Sequence, residues 1–400
     1  MPSSRRELLG GLAAGCAGAI AGCSGLADDR REYSPGTDAE TEWRFPGRGR
    51  QSTAYAPEAV APRTGVSERW NTEIGWQARR PVVADGRVFV ASADGLAAYD
   101  LSSGDELWSF APSDRPAIVA PTVVDGTVYV GFSADETLRA LDAETGDEQW
   151  SVETRGVVHA EILPAVDRDR IYAGDDTGRV YALTGDGTVV YTYDAVGAVT
   201  ALAGTRGTVM VGTNGGQVYE LYEDGESFYP LWRRRVAGGV RDIAVANGGS
   251  VVVSVFGDYV YRLQNGAHAG SDRWRTEFTA NHFAVTESTV VGVNLSSLAV
   301  LGERNGEKRW TRSGTYNCAP AAAGDRFYVG GEYDDDSKGG YLAAYPLGAG
   351  GGLLGGNPER AWKRDLPGVP VGGLTVADGA LLAVTEGENG DHRLRAFDPA

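Results

Sequence analysis

Lysine is nearly absent from this chain. Only Lys308, Lys338 and Lys363 occur, and every other basic residue is an arginine or histidine. Lysine and arginine together number 37 against 54 acidic residues, a formal charge of −17. A nucleic-acid-binding face needs surplus positive charge to displace counterions from phosphates, so this balance argues against that class. Acidic excess with little lysine suits a protein that stays soluble in concentrated salt, and points to a halophilic source. Long apolar runs are missing too. The uncharged stretch from Leu8 to Gly22 has 15 residues, too few for a relaxed membrane span. Histidine occurs four times, at 159, 268, 282 and 392, without the short spacing of a zinc site. No glycine-rich phosphate loop opens a helix, and no G-x-S-x-G elbow is present. Glycine is plentiful at 57 residues, proline sparse at 17, and 42% of residues are apolar. That composition predicts a turn-rich globular β protein.

The N-terminus reads as a targeting segment. Ser4-Arg5-Arg6-Glu7-Leu8-Leu9 resembles a twin-arginine export signal. The apolar run then ends in Ile20-Ala21-Gly22-Cys23, which resembles a lipobox. Residues 1–22 are therefore expected to be removed and Cys23 lipidated. Residues 23–42 form a charged, patternless tether. This places the mature chain outside the cytoplasm, on the outer face of the cytoplasmic membrane; two acyl chains anchor stably where one does not. Of the three cysteines only Cys16, in the removed segment, and Cys23 precede Cys318. The mature chain can form no intramolecular disulfide, and Cys318 is expected to be a half-buried core residue.

A phrase repeats along the remainder. Its cleanest copy is Ala140-Leu141-Asp142, Gly146, Trp150, and the copy before it is Ala98-Tyr99-Asp100, Gly104, Trp108. The apolar slot recurs at Tyr99, Leu141, Leu183, Leu221, Leu263, Leu301, Tyr345 and Phe397. A fixed period near 40 residues means one supersecondary unit copied many times. Within the second copy, Pro121–Val124, Thr127–Gly131, Leu138–Leu141 and Asp147–Val152 read as four strands. Asp125-Gly126 is the tight hairpin turn between the first two. This predicts an all-β, eight-bladed β-propeller over residues 43–400, with four antiparallel strands per blade. Only seven closing aromatics lie in line: Trp108, Trp150, Tyr191 or Tyr193, Trp232, Trp274, Trp310 and Trp362. The eighth is Trp70, in an N-terminal strand over 66–72 that completes the last blade and closes the ring. Trp43 to Pro62 has no repeat partner and is expected to pack across one face. Gly348–Pro358 reads as a flexible insertion.

The phrase A-[YL]-D-x3-G-x3-W resembles the pyrroloquinoline-quinone repeat family, from about Trp43 to Ala400. The resemblance implies one of two branches. One is the quinoprotein dehydrogenases, which hold the quinone and Ca²⁺ on the ring axis. The other is non-catalytic and includes a lipoprotein of the outer-membrane β-barrel assembly machinery. The dehydrogenases use adjacent cysteines, and a Glu, an Asn and an Asp around Ca²⁺. Cys318 has no cysteine neighbour, and that carboxylate set has no match at a corresponding motif. The expectation is a monomeric, non-catalytic scaffold without cofactor or metal, binding a protein or peptide partner. A quinone-dependent dehydrogenase and a small-ligand sensor are the alternatives. A single-membrane organism has no outer-membrane barrels, so the lipoprotein's own partner does not carry over.

Candidate binding residues are those at the starts of the inner strands, which ring one mouth of the channel: Arg79, Arg80, His159, Glu161, Arg241, Asp242, Asn281, His282 and Asn317. The acidic loop Glu332-Tyr333-Asp334-Asp335-Asp336 lacks the alternating spacing of a calcium loop. If the export reading holds, changing Arg5 and Arg6 to lysine blocks secretion, and unprocessed precursor accumulates in a cell-fractionation blot. Unchanged processing would refute it.

Overall fold

The structure is a computed structural model. It describes residues 42–60, 62–112, 119–132, 136–165, 168–205, 207–257, 259–334, 339–348 and 358–400. Arg5, Arg6, Cys23, the tether to residue 41, residues 335–336 and most of the 348–358 insertion lie outside these.

Eight antiparallel sheets form, in chain order, one per repeat. Their inner strands are Val82–Ala84, Thr122–Val124, Leu163–Ala165, Val199–Gly204, Val240–Val245, His282–Val285, Ala321–Ala323 and Val369–Ala377. Each packs on the inner strands of its two neighbours, and the eighth packs on the first, so the ring is closed. Among the described residues there is no α-helix. The second strands run from Arg87, Thr127, Arg170, Thr208, Val251, Thr289, Arg326 and Ala380; that of the second blade starts at Thr127, as read from the repeat. Middle strands such as Thr127–Phe132 are buried on both faces, because a neighbouring blade covers each side. That is why they read as near-continuous apolar runs. Outer strands such as Glu148–Glu153 show only partial burial in alternation.

The ring closes as expected. Val66–Ile74 pairs with His392–Pro399, with Trp70 opposite Ala396. The last blade thus takes three strands from the C-terminus and one from the N-terminus.

Each part of the repeated phrase has a physical task. Asp142 Oδ1 accepts the backbone N–H groups of Glu144 and Thr145, both at 2.9 Å, and so builds the turn. Gly146 in that turn has φ +77°, and a Cβ there would lie 2.7 Å from the Trp108 ring. The indole of the preceding blade therefore lies flat on this glycine, and Trp108 Nε1 donates to the Ala143 carbonyl at 3.2 Å. The same latch places Trp70 on Gly104, Trp150 on Gly187 and Trp274 on Gly306. Trp70 donates to Leu101, Trp150 to Gly185 and Trp274 to Glu303. Trp362 is held differently. It donates instead to the Pro62 carbonyl at 3.0 Å.

The seventh sheet has a fifth strand, which the repeat did not announce. Tyr55–Ala56 pairs in parallel with Ala322–Ala323 on the inner edge. It is the last part of a strap that runs around the bore. The carbonyls of Trp43, Arg44, Arg50, Gln51, Thr53 and Ala54 accept N–H bonds from Val83, Val123, Gly204, Val245, Val285 and Ala322. These belong to the first, second, fourth, fifth, sixth and seventh blades. The third is passed over, where Pro164 has no N–H to offer. Ser52 and Ala54 adopt positive φ, which turns successive carbonyls toward different blades. Residues 43–56 thus lie inside the ring at the ends of the inner strands, a more exact position than packing across a face.

The latch gives a direct test. Gly146→Val combines a positive φ with overlap of the Trp108 ring. It is expected to destabilise the protein by about 2–4 kcal/mol, read as a lower denaturant midpoint. Gly126→Val, at a turn glycine where a Cβ meets nothing within 4 Å, separates the backbone contribution from the overlap.

Candidate functional site

Strap residues Trp43, Phe45, Pro46 and Gly47 are buried at one end of the bore, and the candidate residues lie toward the other. Inner strands start at this open mouth, and the turns between second and third strands share its face. The first-blade wall is Arg79 and Arg80. Arg80 is buried, and its guanidinium donates to the Pro46 carbonyl of the strap at 2.6 Å and to Pro320 at 2.9 Å. Trp43 Nε1 donates to the same Pro46 oxygen at 3.1 Å, so Pro46 forms part of the floor. Room for Arg80 comes from the eighth blade. A Cβ on Gly373 would lie 2.2 Å from Arg80 Nε, and the strand pairing shifts between Val371 and Thr375. This bulge also carries the strand across to the seventh blade, where Ala319 bonds Gly372 and Leu374.

Glu161 comes down the third-blade wall onto the floor. It borders a void of about 10 Å³ with Phe45, Pro46, Gly47 and Leu163, room for about one water. Among the described residues its carboxylate has no hydrogen-bond or ion-pair partner. Asp242, from the fifth blade, accepts the backbone N–H of Ile243 at 2.9 Å and of Phe283 at 3.4 Å. Burial raises the pKa of Glu161, opposed by Arg80. Burial, reinforced by Glu161, pushes Asp242 up to about 8. His282, from the sixth blade, is pushed down to about 4 by burial and by Arg80 and Arg241. Burial lowers Arg80, against the pull of Glu161, Cys318 and Asp242.

Five blades therefore bring interacting groups to one axis: Arg80, Glu161, Arg241, Asp242, His282 and Cys318. The remaining residues read from the sequence are less tightly gathered. Arg79 and Asn317 are exposed, and Asn281 is half-buried. His159 is exposed and lines a cavity of about 440 Å³ with Asp176, Ala198, Thr200 and Asn214. Cys318 is fully buried rather than half-buried, and its thiol is pushed up to about 12 by burial. The sequence reading missed Thr200, Asn214, the strap floor and the Gly372-Gly373 bulge. The bulge left a signal, a glycine pair inside a strand pattern.

The face around the mouth carries exposed apolar side chains: Trp76, Val196, Phe256 and Leu295. The Arg241 guanidinium stacks over Phe256, 4.7 Å from the ring centre.

The family model described as outer membrane protein assembly factor BamB matches residues 56–193 and 158–266, more than half of the chain. The chain belongs to this family. BamB of Salmonella typhimurium is 30% identical over 182 residues, 42% of this chain and 45% of that protein. The serine/threonine-protein kinase AfsK of Streptomyces griseus is 35% identical over 119 residues, 28% of this chain and 14% of the kinase. The chain thus matches less than half the length of these relatives. Among solved structures, BamB from Moraxella catarrhalis aligns with a TM-score of 0.65 at 16% identity, covering 84% of this chain and 98% of that one. Quinohemoprotein alcohol dehydrogenase from Comamonas testosteroni aligns with a TM-score of 0.72 at 12% identity, covering 89% and 80%. Both establish the propeller fold alone.

Asp242 and His282 predict opposite pH dependences. Asp242 keeps its proton in the folded state up to pH about 8, against about 3.9 unfolded, so it removes stability as pH rises across that window. His282 stays neutral down to pH about 4, against about 6.5 unfolded, so it removes stability as pH falls across its own window. Their contributions offset below pH about 6.5. We expect Asp242→Asn to abolish the loss of stability above that pH and to expose a rise with pH below it. His282→Gln is expected to extend the loss down toward pH about 4. Denaturant midpoints measured across the range check this, and an unchanged profile in Asp242→Asn would sink it.

Proposed function

We propose that this protein is an exported, lipid-anchored scaffold that binds a protein or peptide partner at its open mouth and catalyses nothing. The observation that carries the reading is the two-sidedness of the ring. Glu42, where the tether joins, bonds the Asp85 backbone beside the end where the strap lies. The mouth, with its charged groups and exposed apolar side chains, lies at the opposite end. Membership of a family named for outer membrane protein assembly supports a protein-binding role outside the cytoplasm. Anchoring through Cys23 at the outer face of the cytoplasmic membrane is part of the proposal.

The axial residues do not suit a quinone held by calcium. Among the described residues no three His, Cys, Asp or Glu side chains converge to hold an ion. Cys318 directs its thiol to the Val371 carbonyl at 3.7 Å, and the strap occupies the far end of the axis.

Photocrosslinking residues at Phe256 and Leu295 are expected to trap a partner in intact cells, whereas one at Val189 on the outer wall is not. Crosslinks at the wall and none at the mouth would overturn the mouth assignment. Dye reduction by the purified chain with added quinone, Ca²⁺ and an alcohol would replace the scaffold reading with a dehydrogenase.

A further inference from the structure

We infer that the cavity between the third and fourth blades is a binding site for a small protonated amine. The inference stands beside the partner-binding reading and does not rest on it.

The cavity has a volume of about 440 Å³ and is lined by His159, Asp176, Ala198, Thr200 and Asn214. Sites for small organic molecules have volumes of this order. Its walls are held in place by the backbone. Asp176 Oδ1 accepts the Val157 N–H at 3.0 Å, and the Asp176 N–H donates back to the Val157 carbonyl at 2.9 Å. The Asn214 N–H donates to the Ala198 carbonyl at 2.9 Å and ties the two sides of the fourth-blade wall together. A Cβ on Gly197 would lie 2.8 Å from Asn214 Oδ1, so the glycine leaves that amide its place.

Hydrogen-bond polarity then selects the ligand. Thr200 donates its hydroxyl proton to the Val240 carbonyl at 2.7 Å, which leaves the oxygen only lone pairs to offer. Asp176 Oδ2 has no partner among the described residues, and a carboxylate oxygen only accepts. The side chains of His159 and Asn214 have no partner among the described residues either, and each can accept as well as donate. Such walls call for a ligand that donates. Charge narrows the choice. The lining holds one carboxylate and no lysine or arginine, and the body carries a formal charge of −17. The site therefore attracts a cation and repels an anion. Among the described residues no three His, Cys, Asp or Glu side chains are placed to hold a metal ion. An alkylammonium group meets both demands, with a positive charge and three N–H donors on a compact head.

The test uses the full chain in detergent and ligand-observed NMR at constant ionic strength. The probes are 1,4-diaminobutane, the neutral 1,4-butanediol, and tetramethylammonium, which has the charge but no N–H. The diamine is expected to bind about tenfold more tightly than either control, or better. Asp176→Asn keeps an oxygen for the Val157 N–H and removes the charge. Asn214→Ala removes a side chain without partners. Thermal melts verify that both variants fold, and each is expected to weaken diamine binding. Asp94→Asn removes the same charge from the corresponding turn of the first blade and is expected to leave binding unchanged. Absence of diamine binding would overturn the inference. Equal binding of butanediol or of tetramethylammonium would overturn it too, as would equal weakening by Asp94→Asn, which would reveal diffuse attraction to the acidic body. Complete displacement of the diamine by millimolar Ca²⁺ would identify a metal site instead and overturn the amine assignment. Crosslinking at Phe256 and Leu295 decides the scaffold reading separately from all of these.

Discussion

The inner edge of every blade presents backbone N–H and C=O groups to the bore, and buried groups of this kind must find partners. At the mouth, side chains and solvent can serve. At the other end the strap serves, lending carbonyls to six blades in turn. Much else follows from that constraint. The strap lies across one end of the bore, and Pro46 on it holds the Arg80 guanidinium. The strap also explains the fifth strand of the seventh blade, where the chain leaves the bore. From there it travels outward past Tyr328 and Trp362, both donating to Pro62, and arrives at the open edge of the last blade.

A second layer of ties runs around the ring. Indoles latch the last, first, second and fifth blades to the turn of the next, and arginines tie several of the joints between blades. Arg262 and Glu303 illustrate this best. Both are almost fully buried, 2.6 Å apart, and they connect the fifth and sixth blades. Arg262 also donates to Ser250 and to the Glu303 carbonyl. A buried pair of this kind tolerates loss of neither partner, because the remaining charge would be stranded. The mouth departs from the pattern. There titratable groups from five blades share an axis, without close ion pairs among the described residues, and burial moves their proton affinities in opposite directions.

Much of the fold was legible in the chain. The period, the turn residues and the alternation placed the eight blades and the strands of the second one, and the missing eighth aromatic pointed to Trp70. These signals are local, repeated and tied to strand geometry. The strap was not legible, since residues 43–56 make backbone bonds, which any residue can make, and carry no period. Only Pro164 leaves a trace, by lacking the N–H that its counterparts donate. The mouth was legible as a set of positions but not as a cluster. Inner-strand starts could be counted, yet which side chains turn inward depends on local bends. Arg80 goes to the floor while its neighbour Arg79 stays exposed, and Glu161 descends while His159 stays near the rim.

The sequence by itself determined the class, the blade number, the way the ring closes and the residue types available at one mouth. It could do so because each blade solves the same short-range packing problem in the same order. Tertiary structure alone decided that the strap lies within the ring at one end of the inner strands and that Arg80, Glu161, Asp242 and His282 influence one another. Those outcomes depend on segments far apart in the chain meeting at the axis, and no spacing within a single repeat encodes such a meeting.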